Sequence, residues 1–528
     1  MTRHDLRTGT QKSIRPTVAA RGGGTAATAN EIQRANSPSV GVVREPSENA
    51  TAGGPPAPGA AAGGGGGGGR GGAPNVVNAP PDIEPFRLYW NAPFEISPHN
   101  PSVVYMASQY FFKSNNRGDT WRMNTTDLTK NVNRWSPEMP IMNVAGDKPM
   151  AEKHDGYSSS SLITQVRESP SKPGIIWVGT DDGMLQVSLN GGDTFTNVFD
   201  NVVKAGLPKG YVQTARIEPS HFDAATAYVA FDNHRCCDDW KPYLFKTTDY
   251  GKSWTSVLGN LPALGVVQAL REDYDNPNLL FVGTEFGLFV TLDGGKEWKK
   301  FMNNLPTVPV DDILIHPRDR DLIIGTHGRS IWIADDISPL EHLKPNMDTS
   351  LMLFDPRPAI LWKNDPTAQR HAANRDFKAQ NPQGGTAISI WAKSDVGKGK
   401  VEFLQNDKVV STMDVDLKEG MNRYQWNMRG PAPPAPAGGR GGRGGGGGGG
   451  GGGGRGQTEH NGPAPEGGVP FVAGGGRGGG GGGGGGFGGG TPQGPLLEPG
   501  TFMVRLTVGS ETRMSSVDLL EDIWMRPQ

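Results

Sequence analysis

Hydrophobic and polar residues alternate in short segments along most of the chain, which is the period of half-buried β-strands. Two such segments, 281–284 and 288–291, are joined by the turn residues of 285–287 and preceded by a third at 266–271. Comparable sets of strands begin near Phe86, at 177–180, at 228–231 and at 313–326. Five repeated units of this kind predict a β-propeller with at least five blades, within the range of about four to eight that propellers use.

An eight-residue turn pattern follows the third strand in four of these units. A hydroxyl residue stands first, Asn or Asp third, Gly fifth and an aromatic residue eighth. The copies are Ser114-Asn116-Gly118-Trp121, Ser188-Asn190-Gly192-Phe195, Thr247-Asp249-Gly251-Trp254 and Thr291-Asp293-Gly295-Trp298. Short polar side chains accept backbone hydrogen bonds in tight turns, and glycine adopts the positive φ that other residues resist. We therefore interpret these sixteen residues as structural rather than catalytic.

This pattern resembles the Asp-box, or BNR, hairpin of sialidases, sortilin-type receptors and xyloglucan-cleaving glycosidases. Residues 80–345 further resemble the C-terminal half of a bacterial family of BNR-repeat, sortilin-like glycosyl hydrolases. The phrases that carry this resemblance are 179–183, 246–254, 283–287 and 325–329. It implies a secreted or periplasmic protein with a second, upstream propeller. Neither that propeller nor an N-terminal secretory signal is visible in this sequence, so a truncated or split form is expected.

The pattern changes after residue 352, where strands with period-two alternation occur at 387–391, 401–404, 422–426 and 499–506. They predict a small Ig-like β-sandwich at 352–528, interrupted by a Gly-rich insert at 431–495. The propeller is placed at 81–345, after a segment at 1–80 that contains a second Gly-rich run at 53–74. Runs of this composition bury too little apolar surface to order themselves, which predicts disordered linkers.

The charge and the cysteines limit the classes of function. A net charge of −2 gives no general attraction to nucleic acid, and no apolar run is long enough to span a membrane. The Arg-Gly-Gly triplets at Arg70, Arg440 and Arg443 are typical of RNA-binding segments, but a solvated linker is the better interpretation because no aromatic residues are interleaved. Cys236 and Cys237 are adjacent, which favours two ordinary thiols over a redox or metal role.

Charged residues concentrate in the turns between the second and third strands of the blades. Because these turns emerge together in successive blades, we expect them on one face and the Asp-box turns on the other. The catalytic candidates are Asp181, Asp182, Asp238, Asp239 and Glu285, and the ligand-binding candidates are His234, Arg235, His327 and Arg329. Such groups suit sugar hydroxyls or a divalent ion, although no metal or cofactor is assigned.

Three hypotheses follow from this face. A recognition platform would bind a glycan or peptide through its charged rim. A glycoside hydrolase would need two carboxyl groups about 5 Å apart for retention or about 6.5–9.5 Å apart for inversion. A structural module would use the same residues only to brace blades. We favour the recognition or scaffold class, because the Asp box explains the fold without catalysis and a fold does not determine a function.

Overall fold

The computed structural model describes residues 1–17, 75, 77–80, 83–89, 91–133, 136–149, 160–363, 384–432, 472–473 and 494–523. The Gly-rich run predicted at 53–74, most of the one at 431–495, and Arg70, Arg440 and Arg443 lie outside these residues. The chain forms two compact units, Met1–Leu270 and Arg271–Gln528. No helix in the described parts is long and apolar enough to cross a membrane.

The first unit holds an N-terminal hairpin and three blades, each a sheet of four antiparallel strands in chain order. The hairpin is β1 (Thr2–His4) and β2 (Gln11–Ser13), and the first blade is β3 (Phe94–Ile96), β4 (Val104–Ala107), β5 (Phe111–Ser114) and β6 (Arg122–Met123). The second blade is β7 (Ile163–Glu168), β8 (Ile176–Thr180), β9 (Leu185–Ser188) and β10 (Thr196–Asn197), followed by helix α1 (Phe199–Lys204). The third is β11 (Gln213–Pro219), β12 (Ala227–Asn233), helix α2 (His234–Cys237), β13 (Asp239–Thr247) and β14 (Thr255–Ser256).

The second unit holds two further blades and a pair of larger sheets. The fourth blade is β15 (Val267–Glu272), within which the unit boundary falls, β16 (Leu280–Thr284), β17 (Gly287–Thr291) and β18 (Lys299–Lys300). The fifth blade has three strands among the described residues, namely β19 (Val310–Ile315), β20 (Leu322–Thr326) and β21 (Ile331–Ala334), and helix α3 (Ser338–Glu341) follows it.

The larger sheets form the C-terminal β-sandwich. The strands are β22 (Leu351–Leu353), β23 (Ala359–Leu361), β24 (Thr386–Ala392), β25 (Gly397–Gln405), β26 (Lys408–Leu417), β27 (Gly420–Trp426), β28 (Val472–Ala473), β29 (Gly500–Val508) and β30 (Glu511–Glu521). One sheet has the order β22-β24-β27-β28 and the other β23-β30-β29-β25-β26. In the core between them, the rings of Trp426 and Phe403 are stacked with centroids 4.2 Å apart. The predicted fold class, propeller blades followed by a small β-sandwich, is confirmed.

The Asp-box turns share one hydrogen-bonding scheme. In each turn the hydroxyl oxygen of the first residue accepts the N–H of the fifth, over 2.8 Å in Ser114–Gly118, 2.9 Å in Ser188–Gly192, 2.9 Å in Thr247–Gly251 and 3.1 Å in Thr291–Gly295. The same hydroxyl donates to the Asn or Asp at the third position, as Thr247 does to Asp249 over 2.8 Å. These oxygens are therefore committed to the turn.

The third Asp box shows how the turn joins neighbouring blades. Gly251 has a φ of +83°, and a Cβ there would lie 2.9 Å from the side chain of Val198 in the second blade, so only glycine fits without displacement. The aromatic residue of the same turn, Trp254, packs edge-on against Trp177 of the second blade with centroids 6.0 Å apart. The turn thus brings backbone and indole against the preceding blade.

Glu95 on β3 lies beside other carboxylates of the inner strands. Its Oε2 accepts the N–H of Glu168 over 3.0 Å, and Arg167 Nη1 lies 3.9 Å from Oε1. Burial raises the pKa of Glu95 to about 7, Arg167 acts in the opposite direction, and the charges of Glu168 and Glu218 add to the rise. The first unit therefore contains a carboxyl group that titrates near neutral pH.

We expect Trp254→Ala and Trp298→Ala each to lower the free energy of unfolding by about 3–5 kcal/mol, because both indoles are buried and leave cavities when removed. Trp362→Ala is the matched control, since 62% of that side chain is exposed. Chemical denaturation measures all three variants. Equal losses for Trp362→Ala and the buried pair would contradict a packing role for the Asp-box aromatics.

We expect stability to fall as the pH rises from about 4.5 to about 7, because Glu95 holds its proton more tightly in the folded chain than in the unfolded chain. The loss is complete above the folded-state pKa and amounts to at most about 3 kcal/mol. Glu95→Gln should be less sensitive to pH than wild type in urea melts across this window. Glu297→Gln, at an exposed position, serves as control, and parallel pH profiles for wild type and Glu95→Gln would refute the assignment.

Candidate functional site

Asp181 and Asp182 form the tight turn between β8 and β9. Both side chains are buried. Asp181 Oδ1 accepts the N–H of Leu162 over 2.7 Å, whereas Asp182 accepts the hydroxyl of Thr180 over 2.6 Å and the N–H of Lys130 over 2.7 Å. Lys130 belongs to the segment after the first blade, so Asp182 ties that segment to the second blade.

The electrostatics of this pair follow from its burial. Burial raises the pKa of Asp181 well above its usual range, and the neighbouring carboxyl of Asp182 adds to the effect. Burial likewise raises the pKa of Asp182, against hydrogen bonds from Thr180 and Lys130 that stabilise its charged form. Since neither side chain reaches the surface, the geometry supports a bracing role better than contact with a substrate.

The loop between β12 and β13 differs from the turn of Asp181 and Asp182, because its exposed side chains are held in place by a buried carboxylate. Asp232 is buried, and its Oδ1 accepts both the backbone N–H of His234 over 2.9 Å and the ring Nδ1–H over 2.5 Å. This arrangement fixes the imidazole and leaves Nε2 for another partner. Arg235 Nε lies 3.9 Å from the second oxygen of Asp232, and its side chain is 42% exposed.

Trp240 completes this surface. Its ring stacks on the imidazole of His234 with centroids 4.4 Å apart and an angle of 25° between the planes. The indole N–H donates to Asp238 Oδ1 over 2.9 Å, while 39% of the residue is exposed. We call the group Asp232, His234, Arg235, Asp238 and Trp240 the Trp240 cluster. It presents an aromatic surface edged by an imidazole, a guanidinium and a carboxylate.

Asp239 turns inwards from the same loop. Its Oδ2 accepts the Tyr243 hydroxyl over 2.6 Å and the side-chain N–H of Asn233 over 2.9 Å. Burial acts to raise the pKa of Asp239, but these hydrogen bonds outweigh it and the net shift is downwards. The pKa of Tyr243 is raised by burial and by this carboxylate. Asp239 therefore anchors the loop as a charged acceptor.

Cys236 and Cys237 are joined by a disulfide within α2. The expectation of two ordinary thiols is wrong, because the sulfur atoms of Cys236 and Cys237 are bonded to each other. The carbonyls of Arg235 and Cys236 accept the N–H groups of Met142 and Asn143, each over 2.9 Å. The cluster thus rests on a helix that is crosslinked and capped by a neighbouring segment.

The remaining candidates lie in the second unit. Glu285 is half-buried in the turn between β16 and β17. His327 is exposed and its Nδ1 lies 3.0 Å from Asp311 Oδ2, while the carbonyl of Arg329 accepts the indole N–H of Trp332 over 2.8 Å. These contacts belong to the fifth blade itself. The single functional face that was predicted to unite all the turns remains a prediction.

Two residues of the Trp240 cluster are not among the candidates named from the sequence. Asp232 begins the charged loop in sequence, and the structure places it within β12. Trp240 directly follows the acidic pair 238–239. The signal that could have identified Trp240 is an aromatic residue next to a segment rich in His, Arg and Asp. Among the described residues, no group of three or more His, Cys, Asp or Glu side chains could hold a metal ion.

The fold and this loop define the class of the protein: β-propeller blades followed by a β-sandwich, with an exposed aromatic and charged cluster on the third blade. No protein-family model matches the chain, and no curated protein sequence matches it. The GH74 xyloglucanase from Xanthomonas campestris aligns over 46% of this chain and 36% of its own, with 18% identity and a TM-score of 0.35.

Two other solved structures are similar at the same level. The GH74 enzyme from Niastella koreensis aligns over 58% of this chain and 43% of its own, with 17% identity and a TM-score of 0.34. YCF48 from Cyanidioschyzon merolae aligns over 53% of this chain and 92% of its own, with 12% identity and a TM-score of 0.29. All three are β-propeller proteins. The chain covers less than half the length of either GH74 structure.

The disulfide has a direct test. The intact chain should be lighter by two hydrogen atoms than its reduced form, and iodoacetamide in denaturant should label no cysteine unless a reductant is added first, because both thiols are consumed. Mass spectrometry measures both quantities. A Cys236→Ser variant, with one free thiol, controls for labelling efficiency. Two labelled cysteines in the unreduced wild type would show that the thiols are free.

Proposed function

We propose that this protein is a recognition β-propeller that binds a glycan at the Trp240 cluster. The observation that carries the proposal is the support given to exposed groups by buried ones. Asp232 fixes His234, His234 stacks beneath Trp240, and Asp238 holds the indole N–H. A loop that served only to connect strands would need none of these contacts.

The chemistry of the cluster suits a carbohydrate. An indole surface packs against the C–H groups of a sugar ring, and binding sites combine such apolar surface with a few placed polar groups. Here those groups are the imidazole Nε2, the Arg235 guanidinium and the free oxygen of Asp238, all able to hydrogen-bond to hydroxyls. Since the aromatic stack and the helix are already in place, little conformational entropy is lost on binding.

The glycoside hydrolase hypothesis has weaker support. Asp181 and Asp182 are buried, and Asp239 is used by Tyr243 and Asn233. Asp238 is exposed, but one of its oxygens accepts the Trp240 N–H. No two of these carboxylates are offered together to solvent as an acid and base pair. Membership of the BNR-repeat, sortilin-like family and a periplasmic or secreted location are part of the same proposal, and they rest on the Asp-box resemblance.

We expect Trp240→Ala to weaken glycan binding about tenfold or more, the equivalent of at least about 1.4 kcal/mol. Its melting temperature should stay close to that of the wild type, because the indole is partly exposed and lies outside the blade core. Isothermal titration with soluble plant and bacterial cell-wall oligosaccharides, xyloglucan oligosaccharides included, measures the affinity. Trp362→Ala is the matched control at an exposed tryptophan of the sandwich unit.

Other outcomes separate the alternatives. Binding of a peptide library, lost in Trp240→Ala, would keep the site and replace glycan by peptide. Hydrolysis of a glycan that disappears in Asp238→Asn while binding persists would favour an enzyme. If neither ligand class distinguishes Trp240→Ala from wild type, the proposal fails.

A further inference from the structure

A small residue recurs at the same place in every blade, the fourth position of the second strand. The five residues are Ala107, Gly179, Ala230, Gly283 and Gly325. In two blades the structure shows what this residue permits. A Cβ at Gly179 would overlap the side chain of Thr214 on β11, and one at Gly283 would lie 2.6 Å from Val310 Cγ1 on β19. The small residue therefore lets the inner strand of the following blade lie directly against the sheet.

The fifth blade has the small residue, but among the described residues no inner strand of a further blade lies against it. The three atoms nearest to a Cβ at Gly325 all belong to Asp312 of its own blade, at 3.6–3.8 Å. On the same side of the sheet Ile331 is 68% and Ile333 58% exposed. In the second and fourth blades, the third-strand residues that pair with the same positions of the second strand are all buried. They are Leu185, Val187, Leu288 and Val290. We call the surface of Gly325, Ile331 and Ile333 the trailing face.

The first blade shows the converse on its inner strand. Phe94 and Ile96 of β3 are 43% and 54% exposed. In the second, third and fifth blades, the inner-strand residues that pair with the same positions of the second strand are all buried. They are Val166, Glu168, Ile217, Pro219, Ile313 and Ile315. We call the surface of Phe94 and Ile96 the leading face. An inner strand with an uncovered apolar side is the kind of element that covers the small residue elsewhere in this chain.

We propose that the trailing face of one copy of this protein binds the leading face of a second copy, in a head-to-tail contact that repeats the packing of one blade on the next. Two observations select this occupant. The chain itself shows that an inner strand with an apolar surface covers the equivalent face, and the leading face presents such a strand to solvent. The contact joins two different surfaces, so each copy keeps one face of each kind for a further neighbour.

Light scattering coupled to gel filtration of the full chain tests this proposal. The wild type should form dimers or larger species whose mass increases with concentration. Ile333→Lys disrupts the trailing face and Ile96→Lys disrupts the leading face. Each variant alone should be a monomer, because every copy then lacks one of the two faces that the contact requires. Both residues are exposed, so the blades should fold normally, which thermal melting checks.

An equimolar mixture of the two variants distinguishes a head-to-tail contact from any other association. One intact face of each kind remains in the mixture, so it should form a dimer and nothing larger. Leu189→Lys, at a residue 59% exposed in an Asp-box turn, is the matched control and should assemble like the wild type. A wild type that stays monomeric at all concentrations, as closure within one chain would produce, overturns the proposal. So does a mixture that remains monomeric.

Discussion

The hydrogen bond between the Asp-box hydroxyl and the glycine N–H four residues later is the constraint on which the first four blades depend. It closes the turn after the third strand, as between Thr247 and Gly251. Closure at that point sets the glycine close to the preceding blade and directs the aromatic residue into the core between blades. A single weak bond, worth about 1 kcal/mol by itself, thus places a buried tryptophan that contributes several times more.

The Trp240 cluster likewise combines groups that stabilise the loop with groups that position one side chain. Asp239 with Tyr243, and the disulfide of α2, hold the loop to its blade. Asp232 and His234 then orient the exposed indole of Trp240. Buried polar groups that are fully hydrogen-bonded make a loop stiff, whereas unpaired ones would destabilise it. An exposed aromatic residue on such a loop keeps a defined position, which a binding site requires.

The fold could be predicted from the sequence because its signals are local. Strand period, turn residues and the eight-residue spacing all lie within about ten residues of one another. The site was less predictable, since its contacts depend on which side of a loop each residue faces. Asp181 and Asp182 resemble an exposed turn in sequence yet are buried, and backbone N–H groups of Leu162 and Lys130, distant in sequence, donate to them. Two adjacent cysteines carry no local signal that separates free thiols from a disulfide, so the bond between Cys236 and Cys237 could not be predicted.

The exposed faces of the first and fifth blades could not be predicted from the repeat. The repeat shows what each blade contains, and the second strand of each blade has its small residue whether or not a following blade covers it. Among the residues that the structure describes, strands of the following blade lie against Gly179 and Gly283, whereas none lies against Gly325. Exposed isoleucine side chains on a regular sheet are unfavourable in water and favour association with another chain. These exposed surfaces of the first and fifth blades are therefore the ones through which we propose that two copies bind each other.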